Sequence, residues 1–97
     1  MASITLQLPD GAVREVRLTR PLVLGRSTDA DVQLKLAGVS RHHARFEPSG
    51  AGWVLVDLES QNGTLVNGVR QVGRCLLRDG DDVRIGAARI VFRATED

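Results

Sequence analysis

Three separate stretches of the sequence carry side chains that donate hydrogen bonds to an anion, and none of them contains a carboxylate. They are residues 25–27 (GRS), 40–43 (SRHH) and 61–64 (QNGT). Charge-assisted and bidentate arginine hydrogen bonds are the strong ones, so this set favours a dianion such as a phosphate group. Asn62 differs in kind, because its amide can pair with both the N–H and the C=O of an extended peptide. The chemistry indicated is therefore binding of an anion carried on a peptide.

The same loops do not have the composition of a metal site or a catalytic site. His42 and His43 are neighbours in a predicted strand, where successive side chains point to opposite faces, so they cannot hold one metal ion together. No cluster of cysteines or carboxylates completes a site. Ser40 and His43 could be a nucleophile and a base, but no aspartate is evident to orient the histidine. We expect no metal, no cofactor and no enzymatic activity.

The elements that must position these loops are short β-strands. Apolar residues alternate with polar ones, turn signals recur every few residues, and no stretch has a helical period. The pattern predicts an all-β sandwich with roughly ten strands. They cover residues 4–8, 13–18, 22–24, 32–36, 42–46, 53–58, 64–66, 76–77, 83–85 and 89–92. Because a sandwich gathers alternate loops at one end, the three donor-rich stretches can meet there.

Length and composition limit the possible classes of protein. A chain of 97 residues predicts a single domain spanning residues 1–97, which we expect to be monomeric. The net charge of +1 and the aromatic content of 3% disfavour nucleic-acid binding, which needs basic surfaces and stacking platforms. One cysteine excludes an internal disulfide, and no apolar run approaches the about 20 residues of a membrane helix. We expect a cytoplasmic protein without a membrane segment.

Four blocks of the sequence resemble the forkhead-associated (FHA) domain family. In order, the blocks are G-R-S with D-V-x-L (residues 25–34), S-R-x-H-A (40–44), Q-N-G-T-x-V-N-G (61–68) and L-x-D-G-D-x-V-x-I-G (77–86). The resemblance covers about residues 22–92, nearly the whole chain. It implies an FHA/SMAD-like β-sandwich of about eleven short strands. It also implies a phosphothreonine-dependent binding module that acts in Ser/Thr kinase signalling.

Carried over residue by residue, the resemblance implies which side chains bind phosphate. Arg26 would form an ion pair with the phosphate, and Ser40 would donate a hydrogen bond to it. Arg41 would contact the phosphate or the peptide backbone. Gln61 stands where many members have serine or threonine, so its phosphate contact departs from the family pattern.

The resemblance also implies residues that hold the peptide and support the loops. Asn62 would bind the peptide main chain beside the phosphothreonine. His43 would brace the loops from behind without touching the ligand. Gly25, Gly63 and Asn67 would shape the neighbouring turns.

Several alternatives remain open from the residues alone. Arg26 could be a surface arginine paired with Asp29 or Asp31, and Asn67 could be only a hairpin-turn residue. At the level of function, the alternative is a scaffold that binds its partner through a sheet face, independently of phosphorylation.

Overall fold

The computed structural model describes residues 2–94 and arranges them as eleven strands in two β-sheets. The strands are β1 (Ala2–Gln7), β2 (Val13–Leu18), β3 (Leu22–Gly25), β4 (Val32–Gln33), β5 (Ala44–Ser49), β6 (Gly52–Asp57), β7 (Thr64–Val66), β8 (Val69–Gln71), β9 (Arg74–Leu76), β10 (Asp82–Ile85) and β11 (Ala88–Arg93). Among these residues, no helix has the length and apolar character needed to cross a bilayer.

The two sheets differ in size and pack as a sandwich. The larger sheet has the order β2-β1-β11-β10-β7-β8, and the smaller has the order β4-β3-β5-β6-β9. All neighbouring strands are antiparallel except β3 and β4, which pair in parallel. The short β4 is therefore one edge of the smaller sheet, and the loops on either side of it lead to the ends of β3 and β5.

The core lies between the sheets and explains why these residues form strands. Alternate residues of β1, β5 and β11 are buried, as the period of two requires for strands with one face on a core. Phe46, Phe92, Ile4, Leu24 and Leu55 are among the fully buried side chains. Burying each such side chain stabilises the fold by roughly 1.5–3 kcal/mol.

The prediction of an all-β sandwich is confirmed, but several strand limits were wrong. His42 and His43 precede β5, which begins at Ala44. The predicted strand 32–36 ends after Gln33, and β9 covers Arg74–Leu76 rather than 76–77. The strand β8 had not been predicted from the sequence.

Candidate functional site

The end of β3 and the loop before β5 are joined by main-chain hydrogen bonds. The main-chain N–H of Arg26 donates to the carbonyl oxygen of Ser40 at 2.9 Å. The main-chain N–H of Ser27 donates to the carbonyl oxygen of Arg41 at 3.1 Å. Gly25 makes this approach possible, since a Cβ at that position would lie 1.9 Å from the Arg41 oxygen. No other residue type fits there without displacing the loop. Two of the three donor-rich stretches are thus held together by backbone.

The third stretch joins them around a shared hollow of about 180 Å³. This polar hollow is lined by Arg26, Gly38, Val39, Ser40, Gln61 and Asn62. Residues far apart in the sequence therefore meet at one end of the sandwich. No carboxylate lines the hollow, so its walls supply donors and a positive charge to whatever enters it.

The guanidinium group of Arg26 is exposed and available. Its side chain forms no hydrogen bond or ion pair with any residue in the described range 2–94. The two carboxylates considered as its partners are engaged elsewhere. Asp29 contacts Ser27 and His42, and Asp31 contacts Arg20 and the Val23 N–H. The interpretation of Arg26 as half of a local ion pair is therefore wrong.

Those two carboxylates are held in their charged forms by their own partners. The Ser27 hydroxyl, followed by His42, lowers the pKa of Asp29 from its usual value. The Val23 N–H, followed by the Arg20 side chain, lowers the pKa of Asp31. The carboxylates of Asp29 and Asp31 therefore remain ionised at neutral pH without an ion pair to Arg26. The guanidinium group of Arg26 is left free for an external anion.

The hydroxyl of Ser40 links the second and third stretches. Its oxygen accepts a hydrogen bond from the Gln61 N–H at 3.0 Å. A serine hydroxyl has one proton to donate besides its two acceptor positions. The contact with Gln61 therefore fixes the position of the oxygen and leaves the proton available to a ligand in the polar hollow.

His43 lies behind the polar hollow and is fully buried. Its Nδ1 is 3.0 Å from the Ser40 main-chain nitrogen, and its Nε2 is 2.8 Å from the Gly63 oxygen. The Ser40 N–H can only donate and the Gly63 oxygen can only accept. The ring is therefore neutral, with its proton on Nε2, and it connects the two loops that carry Ser40 and Asn62.

A second polar cluster, which the sequence analysis missed, supports the third stretch. Asp57 accepts hydrogen bonds from the Ser60 hydroxyl at 2.5 Å and from the Thr64 hydroxyl at 2.7 Å. The Ser60 oxygen in turn accepts the Gly63 N–H at 3.0 Å. Partial burial raises the pKa of Asp57, but the hydrogen bonds from Ser60 and Thr64 outweigh it and hold the pKa below its usual value. In the sequence, this cluster could have been recognised from the spacing D-x-x-S-x-x-G-T over residues 57–64.

Asn62 lines the polar hollow, and only the nitrogen of its side-chain amide forms a hydrogen bond. Its Nδ2 donates to the Gly38 oxygen at 3.1 Å, which ties the third stretch to the loop before Ser40. No hydrogen bond within residues 2–94 involves its Oδ1. That oxygen is free to accept an N–H from a bound chain. Gln61 also lines the polar hollow.

Comparison with known proteins agrees with this geometry. The sequence model of the FHA domain family matches residues 22–86. The chain belongs to the FHA domain family. FHA domains are binding modules, and the sandwich described above is their fold.

Two curated relatives and one solved structure illustrate the likeness. The FHA domain-containing protein FhaA of Mycobacterium tuberculosis is 41% identical over 94% of this chain and 17% of its own length. The glycogen accumulation regulator GarA of Mycolicibacterium smegmatis is 44% identical over 70% of this chain and 42% of its own length. A structure from an analysis of phosphothreonine-dependent FHA domain interactions has a TM-score of 0.84 and 40% identity, covering 98% of this chain and 99% of that chain. The chain thus spans less than half of either curated relative.

Of the residues implied by the resemblance, Arg41 and Asn67 lie outside the polar hollow of this FHA domain, as do the loop-supporting Gly25, His43 and Gly63. Arg41 is exposed, does not line the polar hollow, and contributes its main-chain oxygen to the loop junction. Asn67 has a φ of 52° and bonds through its side chain to Asp81 at 2.9 Å and to the Asp82 N–H at 3.0 Å. It therefore ties the turn between β7 and β8 to the start of β10.

The FHA domain offers no metal site in the part of the chain that the structure describes. Within residues 2–94, no three His, Cys, Asp or Glu side chains are grouped closely enough to hold an ion. His42 is bound to Asp29, while His43 uses both ring nitrogens for the loops. What the site can do chemically is donate hydrogen bonds and offer a positive charge.

Proposed function

We propose that the polar hollow binds the phosphate group of a phosphothreonine in a partner protein. Arg26 forms the ion pair, and the Ser40 hydroxyl donates to a phosphate oxygen. The side-chain amide of Gln61 supplies a further donor from the opposite wall. The observation that carries the proposal is an unpaired guanidinium group sharing a carboxylate-free hollow with a hydroxyl whose proton is free. Each charge-assisted hydrogen bond contributes roughly 1.5–3 kcal/mol.

The partner's main chain is held beside the phosphate. Asn62 accepts a peptide N–H through its free Oδ1 while its Nδ2 stays on Gly38. Arg41, exposed next to the polar hollow, contacts the peptide backbone or the outer phosphate oxygens. Gly25, His43, Gly63 and Asn67 act indirectly, by keeping the loops in place. Phosphate contacts supply most of the binding free energy, and the amide fixes the register of the peptide.

The domain is thus a phosphothreonine-dependent peptide-binding module of Ser/Thr kinase signalling. We place it in the cytoplasm, where such kinases phosphorylate their substrates, and treat residues 1–97 as one monomeric domain. We further propose that it has no catalytic activity. His43 contacts the main-chain nitrogen of Ser40 rather than its hydroxyl, so the pair is not arranged as a base and a nucleophile.

A phosphothreonine peptide library tests the proposal. Wild-type protein should bind a pool of peptides with a fixed phosphothreonine and randomised flanks, and should not bind the same pool after phosphatase treatment. Arg26→Ala should lower the affinity by about tenfold or more, as expected for one lost charge-assisted contact. Arg14→Ala is the matched control, because Arg14 is an equally exposed arginine on β2 of the other sheet.

The outcomes separate the two functional classes. Unchanged affinity in Arg26→Ala, measured by isothermal titration calorimetry, would refute the assignment of phosphate to the polar hollow. Equal binding of the dephosphorylated pool would indicate the phosphorylation-independent scaffold instead. A loss of equal size in Arg14→Ala would reveal a general charge effect and contradict the assignment as well.

A further inference from the structure

A second depression lies beside the polar hollow and has a different chemical character. This β4 groove has a volume of about 550 Å³ and is lined by residues 8–10 and 33–36. Its floor is mainly aliphatic, formed by Leu8 and Pro9 from the end of the first hairpin and by Leu34 and Leu36. Asp10 and Lys35 supply one charge of each sign. Nothing in the phosphate chemistry described above uses it.

The backbone of the β4 groove presents unused hydrogen-bonding groups. The strand β4 is the edge of the smaller sheet and pairs only with β3 in the described residues. Leu34 donates its N–H to the Gly25 oxygen at 2.7 Å, toward β3. Because main-chain groups alternate in direction along an extended strand, those of Gln33 face the open side, and continuing the alternation beyond the end of β4 gives Lys35 the same direction. Such an edge is a template for another strand.

The β4 groove and the polar hollow share no lining residue, but residues that line them are neighbours. Gln33 lines the groove and donates its side-chain Nε2 to the main-chain oxygen of Arg26, 3.1 Å away. On the other side, the chain passes directly from Leu36 in the groove to Gly38 and Ser40 in the hollow. A peptide anchored by its phosphate beside Arg26 therefore emerges next to the edge of β4.

We propose that the β4 groove binds a flanking segment of the same phosphorylated partner as an added β-strand. The inference rests on the proposed function of the polar hollow. The added strand forms main-chain hydrogen bonds with Gln33 and Lys35, and places alternate side chains over Leu36 and beside Leu8 and Pro9. Residues 33–36 span about 13 Å at about 3.3 Å per residue, so the segment is about four residues long. Its sequence signature is apolar residues at alternate positions.

This arrangement matches the general way in which peptides join sheet edges. Main-chain bonds give affinity, while pockets for alternate side chains give specificity. A tethered second contact also gains from the high effective concentration set by a short connection. The partner is therefore recognised in two places. Binding requires the phosphothreonine, and the apolar segment determines which phosphorylated sites bind most tightly.

The experiment compares long and short phosphopeptides. The phosphothreonine library, randomised over eight residues on each side, yields a selected sequence that is synthesised at full length and cut to three residues on each side. The full-length peptide should bind about tenfold more tightly than the short one. Lys35→Pro, which removes an outward N–H, should abolish that difference, and Lys35→Ala, which keeps the N–H, should preserve it. Affinities are measured by fluorescence anisotropy.

A second variant and a distant control complete the design. Leu36→Lys puts a charge in the β4 groove and should remove the apolar selection from the library while leaving the phosphothreonine requirement. Val69→Lys, at an exposed valine of β8, should change neither. Equal affinity of long and short peptides for wild type, or an unaltered selection in both groove variants, would overturn the inference. Concentration-dependent dimerisation abolished by Lys35→Pro would assign the edge to a second copy and would also overturn it.

The two proposals fail differently. If Arg26→Ala leaves binding intact, the polar hollow is not the phosphate site. If Arg26→Ala abolishes binding of both peptides while the groove variants behave as wild type, only the β4 groove assignment is wrong.

Discussion

Replacing His43 with alanine should destabilise the domain far more than replacing its neighbour His42. The His43 ring is fully buried and makes hydrogen bonds at 3.0 and 2.8 Å to the Ser40 and Gly63 main chains. Each net hydrogen bond is worth about 1 kcal/mol, and emptying a buried site adds a cavity penalty. We expect His43→Ala to lose about 3–5 kcal/mol, a large share of the roughly 5–15 kcal/mol that such domains have.

The measurement is equilibrium urea unfolding followed by the fluorescence of Trp53, the single tryptophan. His42→Ala is the matched control. Its contact with Asp29 is exposed, with the two side chains 49% and 71% accessible, so solvent screens it and its loss should change the stability little. A loss below about 1 kcal/mol in His43→Ala, or equal losses in the two variants, would refute the bracing role deduced from the two ring contacts.

Two further predictions concern the loops around the polar hollow. Gly25→Ala should cost about 1–3 kcal/mol and weaken phosphopeptide binding, because the new Cβ meets the Arg41 oxygen at 1.9 Å. Gly52→Ala, whose Cβ would lie 3.9 Å from the main-chain oxygen of Ser49, should not destabilise the domain in the same urea assay, and equal losses would contradict the steric argument. The pKa of Asp57 is lower in the folded protein than the unfolded value of about 3.9, so its stabilising contribution is complete above that pH and is lost as pH falls through the folded pKa. Asp57→Asn should therefore flatten the acid side of the stability curve below about pH 4, and an unchanged slope there would count against the network with Ser60 and Thr64.

The sequence predicted most of the strands because one face of each is buried. Where a strand has no clearly buried face, the sequence did not predict it correctly. In β8, Val69 and Arg70 are both exposed, so no alternation marks the strand. The segment 32–36 alternates well, yet its strand ends after Gln33, because its neighbour β3 ends at Gly25, the residue paired with Gln33. An alternation of apolar and polar residues indicates which face of a strand is buried. The length of the strand also depends on the strands that pair with it.

The candidate site shows a similar division. Arg26, Ser40, Gln61 and Asn62 were indicated by their chemistry and by the family blocks, and the structure brings them together. Asp57 was not found, although the hydroxyl groups of Ser60 and Thr64 lie only three and seven residues away in the sequence. The position of Arg41 outside the polar hollow was hidden, since adjacent loop residues can point in different directions.

The polar hollow is assembled largely by the backbone, and this separates its construction from its selectivity. The junctions at Arg26–Ser40 and Ser27–Arg41 are main-chain bonds, and the Gln61 junction uses a main-chain N–H. The exposed side chain at position 61 can therefore change with little disturbance of the framework. Such a surface can diverge rapidly after gene duplication, and it is a suitable starting point for directed evolution of reagents that distinguish one modified protein from another.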